Sequence, residues 1–169
     1  MKNKKIFLIL VSLLLLTLVF STSAVSANTP KTYFTGTEEA IGPPTGGTVK
    51  FVDGKVQLRG LVQPGFDTTS DPRTTGYVTI VVNAVWTPPA MTGPMWGTFR
   101  IVNDDGAWYG RWQGQRSLED GDIISTIQGT AHGSGDYEGL VGKWNYRAVN
   151  AGPGNPFDIS GYVLEPPGK

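Results

Sequence analysis

His132 is the only histidine among 169 residues, and it opens the run His132-Gly133-Ser134-Gly135-Asp136. A histidine acting as a general base needs a carboxylate to orient it, and Asp136 and Glu138 are the nearest acids in sequence. His132, Asp136 and Glu138 are therefore the candidate catalytic residues. The competing reading is a polar strand end bonded to its own surroundings. One histidine excludes a two-histidine metal site, and Ser134 does not sit in the strand-to-helix elbow of a nucleophilic serine. The acidic runs Asp104-Asp105-Gly106 and Glu119-Asp120-Gly121-Asp122 lack calcium-loop spacing and are explained as turns. No metal site and no cofactor are expected.

The aromatic residues form a second candidate set. Trp108 and Trp112 share one parity, and Trp144 and Tyr146 another, so each pair projects from one face of its strand. With Trp96 and Phe99 they make the candidate ligand-binding residues. They would line a cavity for an apolar or planar molecule, or stack on sugar rings from an exposed platform. The alternative is core filling, the ordinary role of aromatics in a small domain.

Strands must position these residues, because helical patterning is nearly absent. Val78, Ile80, Val82, Ala84 and Trp86 alternate with a more mixed set, as do Val56, Leu58 and Val62, and Leu140, Trp144 and Tyr146. Asp53-Gly54, Asp105-Gly106 and Asp120-Gly121 are hairpin signals between such runs. The segments 63–75 and 87–94 read as longer loops, and a glycine turn at 133–136 leads into the strand 137–148. Eight or nine strands joined by hairpins predict an all-β fold, an antiparallel closed barrel of about eight strands, with a β-sandwich as the alternative. Glycines inside the strands, among them Gly97, Gly110, Gly129, Gly142 and Gly161, suggest tight coiling or close backbone approach.

Two stretches resemble known families. Gly93-Pro94-Met95-Trp96-Gly97-Thr98-Phe99-Arg100-Ile101 with Gly106-Ala107-Trp108-Tyr109-Gly110-Arg111-Trp112 resembles uncharacterised secreted bacterial β-domains. Gly133-Ser134-Gly135-Asp136-Tyr137-Glu138-Gly139-Leu140-Val141-Gly142 is similar to the glycine-rich turn of allene oxide cyclase and dirigent barrels. That resemblance implies a calycin-like, eight-stranded barrel whose cavity holds an apolar small molecule. No counterpart of that family's cavity carboxylates is found at matching positions, so its activity is not carried over.

The N-terminus carries an export signal. Lys2, Lys4 and Lys5 precede an apolar run at 6–20, and Val25-Ser26-Ala27 fits the cleavage rule. Residues 1–27 are expected to be a signal peptide and 28–169 a single domain, secreted to an extracellular or periplasmic location, with no membrane association after cleavage. Beyond residue 27 there are 11 basic and 14 acidic residues, a net charge of −3 without basic runs, which argues against nucleic acid. Oligomeric state is left open. Three functions remain: a barrel binding an apolar small molecule, a cyclase-like or dirigent-like enzyme on an apolar substrate, and a structural or surface-interaction domain. The first is preferred, because no acid–base constellation is legible.

Overall fold

The computed structural model describes residues 29–152 and 154–166; the expected signal peptide lies outside the described residues. The alternating segments become nine strands. These are β1 (Lys31–Ala40), β2 (Thr45–Val52), β3 (Lys55–Thr69), β4 (Gly76–Trp86), β5 (Gly93–Val102), β6 (Gly106–Glu119), β7 (Asp122–Gly135), β8 (Val141–Val149) and β9 (Phe157–Leu164). All pair antiparallel in one sheet of order β1-β9-β8-β7-β6-β5-β4-β3-β2, and a further β1–β3 pairing closes the ring. Eight strands thus form a closed barrel. The ninth, β2, pairs with β3 only and is exposed along its whole length.

The turns do what their residues allow. Asp53-Gly54 and Asp120-Gly121 both have positive φ at the two central positions, the tight hairpin geometry whose twist matches the flanking strands. The expected loop at 63–75 is corrected: β3 runs on to Thr69, because its second half is paired with β4 on one side and β1 on the other. Only a short 3-10 turn, Pro72–Thr74, remains, capped by the Asp71 side chain accepting from Arg73 N–H. The glycine turn is also displaced, since β7 continues through Gly135 and β8 starts at Val141.

Strand glycines and aromatic rings interlock inside the barrel. Gly97, Trp112, Gly129, Trp144, Gly161 and Phe34 are successive register neighbours across β5, β6, β7, β8, β9 and β1. Small and large residues alternate around that girdle, which is how a narrow barrel accommodates bulky rings. A methyl group at Gly110 would collide with the Phe99 ring, at Gly142 with Trp144, and at Gly161 with Phe34.

One end of the interior is filled by this means. Trp108 stacks on Tyr137 at 5.4 Å and meets Trp144 edge-on at 5.2 Å. Trp144 in turn contacts Phe34 and Phe99, each at 5.5 Å. Two polar handles are satisfied, Trp108 Nε1 donating to Arg73 O at 2.7 Å and Tyr137 Oη to Asn103 Oδ1 at 2.7 Å, whereas Trp144 Nε1 is buried with no hydrogen-bond partner.

Candidate functional site

Beyond the aromatic plug the interior is hollow. A cavity of about 140 Å³ is bounded by Ile80, Val82, Met95, Phe99, Trp112 and Ile127, with Ser125, Phe157, Tyr146 and Glu38 completing its wall. Its surface is almost wholly apolar apart from the last two groups. One layer further along, the Arg116 guanidinium lies 4.7 Å over the Trp86 ring.

The polar wall is built by strand register. Glu38 on β1 stands directly opposite Asp67 on β3, and both side chains are buried. Two ionised carboxylates so placed would repel strongly, and burial removes the water that would screen them. Burial, then the neighbouring Asp67 charge and its hydrogen bond, hold the Glu38 carboxyl well above the usual carboxylate range. Burial also pushes Asp67 up to about 7, while hydrogen bonds from Tyr146 and Glu38 work in the opposite direction. Tyr146 Oη donates to Asp67 Oδ2 at 3.2 Å, and burial lifts the phenol well above its normal value. Asp67 Oδ1 is buried and receives no hydrogen bond from any conventional donor. Both shifts favour a pair that keeps a proton near neutral pH, with Tyr146 Oη donating to Asp67 Oδ2. An acid–base constellation is present after all, formed by residues the sequence did not single out.

A groove of about 690 Å³ lies against the outer side of the cavity wall, lined by Ala40, Pro43, Pro44, Asn155, Glu38 and Phe157. Glu38 and Phe157 line both spaces and so form the partition between them. The groove exists because β1 breaks at 41–44 before β2 begins, leaving a gap that faces the β8–β9 loop.

The six aromatic candidates divide into three groups. Phe99, Trp112 and Tyr146 line the cavity. Trp108 and Trp144 are buried in the plug that closes one end. Trp96 projects outward from β5, with Arg59 5.0 Å over its ring. His132, Asp136 and Glu138 are all exposed and none lines the cavity. His132 has outward parity on β7, opposite Tyr109, and the two acids belong to the turn that follows. No family model, no curated protein and no solved structure matches the chain.

Proposed function

We propose that the protein binds a small apolar molecule carrying one hydrogen-bond acceptor inside the barrel. The carrying observation is an apolar cavity of about 140 Å³ with a proton-holding carboxyl in its wall. An engineered apolar cavity of about 150 Å³ takes up benzene, so the ligand is about the size of one substituted ring. Its acceptor is a carbonyl, ether or hydroxyl oxygen facing Glu38, whose single O–H turns from Asp67 to the ligand on binding. An anion is disfavoured, because its charge would be desolvated beside Asp67. Residues 1–27 support a location outside the cytoplasm for this activity.

Trp112 is the one tryptophan on the cavity wall and serves as the reporter. Titration with neutral cyclic ketones, lactones and phenols should change its emission saturably, and Val82→Phe, which fills the space, should abolish the response. An unchanged spectrum across the panel, or the same response from the filled variant, overturns the reading.

A specific observation favours a second reading, an enzyme acting by proton transfer on the same kind of molecule, in keeping with cyclase-like or dirigent-like chemistry. Burial pushes Asp67 up to about 7 and Glu38 well above the usual carboxylate range, so the pair offers a base and an acid side by side. Glu38→Gln keeps a hydrogen-bond donor but cannot release the proton. Retained binding with lost turnover would support catalysis, and unchanged turnover would eliminate it.

A further inference from the structure

Over β5 to β8, between the hairpin ends, the outer face of the barrel carries charge of one sign. Arg59 on β3, Arg100 on β5, Arg111 on β6, and Lys143 and Arg147 on β8 all have outward parity, although acids outnumber bases 14 to 11 beyond residue 27. The acids of β5 to β8 are confined to the hairpin ends: Glu119, Asp120 and Asp122 at one, Asp104, Asp105, Asp136 and Glu138 at the other. Between those ends no carboxylate projects from these four strands. On β9, Asp158 is the register partner of Arg147 and lies at the border of the basic band.

Within the band the side chains are ordered in rows. Trp96, Gln113, Gln128 and Asn145 are register neighbours on β5 to β8. The next row is Thr98, Arg111, Thr130 and Lys143, continuing to Tyr162 on β9. These rows line a groove of about 790 Å³, with Gly97 and Gly129 in its floor. Strand spacing of about 4.8 Å puts Arg111 and Lys143 about 10 Å apart across the groove. Lys143 Nζ is steadied by Thr130 Oγ1 at 2.6 Å. Trp96 is 38% exposed, and Arg59 and a hydrogen bond from Asn83 to the Trp96 carbonyl hold that position from one side.

Each row suits a different part of one ligand class. Side-chain amides both donate and accept, as sugar hydroxyls require. An exposed indole offers a flat apolar surface to the C–H face of a pyranose ring. Arginine and lysine without acidic partners seek carboxylates. We propose that this face binds an acidic polysaccharide lying across β5 to β8, with uronate carboxylates on Arg111 and Lys143 and one ring against Trp96. Polar rows with a single open tryptophan fit hydroxyl-rich rings better than nucleobases, which need successive stacking platforms. This site is separate from the interior cavity, so either proposal can fail without the other.

The test is affinity electrophoresis of the purified protein through gels containing polygalacturonate, neutral dextran, polyglutamate or single-stranded DNA. Retardation by polygalacturonate, weakened at high salt, is expected, with little by dextran. Arg111→Gln combined with Lys143→Gln should weaken binding on the order of tenfold, and Trp96→Ala about fivefold. These side chains project outward, and an unchanged unfolding curve verifies that each variant is folded. Absence of retardation, equal retardation by dextran, or variants that bind like the parent would overturn the proposal. Equal retardation by polyglutamate or DNA would reduce the face to a general polyanion binder and overturn the polysaccharide assignment.

Discussion

The two halves of the barrel interior are made by the same strands and differ in what faces what. Toward the Asp104-Asp105 turn, each large ring meets a glycine or another ring, and Trp108 and Trp144 are closed off from solvent. Toward the β8–β9 loop, Phe99, Trp112, Tyr146 and Phe157 stand around the wall with mid-sized aliphatics and Glu38, and none of these rings fills the space between them. The hollow is thus not a shortage of apolar residues. In the plug, glycines let the rings reach the barrel axis; in the hollow half the rings stay at the wall, with Tyr146 bonded to Asp67 and Phe157 beside Glu38. The packed plug joins the same strands whose register holds Glu38 against Asp67, and the other half keeps a cavity of about 140 Å³.

The contrast can be broken most severely at the plug. Trp108→Ala removes a stacked, fully buried indole and should cost about 3–5 kcal/mol, read from the urea midpoint. A loss as small as that of a surface change would show that the plug is not the stable half. Gly142→Ala adds a single methyl but drives it into the Trp144 ring, so a loss of about 1–3 kcal/mol is expected in the same assay.

The hollow half should reveal itself through pH. Asp67 and Glu38 have folded values above their unfolded ones, so the native state binds more protons than the unfolded chain between about pH 4 and 7. Stability should therefore fall as pH rises through that window, by about 1–3 kcal/mol. Below it the sign reverses. Burial alone would raise Asp71, but its bonds to Arg73 more than offset this and lower it, so that stabilisation is lost as acid protonates the carboxylate. Melting temperatures across the range should peak on the acid side of neutrality, and Asp67→Asn should flatten the slope. A flat parent profile would remove the proton kept by the pair. The smallest effect belongs to Val82→Phe, which should leave stability within about 1 kcal/mol of the parent while abolishing ligand response. A large loss there would mean that the space is not free to be filled.

Much of the architecture was legible because it is local. Alternation at 78–86 and the Asp-Gly turns need only neighbouring residues to be read, and both are realised. Glycines in strands were legible as tight approach, but their ring partners lie on adjacent strands and appear only with the register. Beyond Gln63, β3 was hidden by Pro64, a residue that ordinarily marks a loop or an edge. The Glu38–Asp67 pair was hidden more deeply. Glu38 stands beside the exposed Glu39, so the two read as one solvated acidic run. Asp67 lay in the expected loop, and only the β1–β3 closure joins them. One faint signal existed: parity from Phe34 places Gly36 and then Glu38 on the inward face of β1. His132 drew attention by being unique, which says nothing about where a side chain points.

One consequence of β2 concerns timing. Its eight residues bury nothing and are held by β3 alone, so lifting it away breaks a short ladder of hydrogen bonds and exposes no core. Such an opening lies far below global unfolding in free energy, and its amide protons should exchange with solvent long before those of β6 or β7. Pro43 and Pro44, which lead into β2, also line the groove outside the Glu38–Phe157 partition. A low-cost opening of the barrel is therefore located beside the wall of its cavity, so the exchange of β2 amides would report on loosening there while the plugged half stays protected.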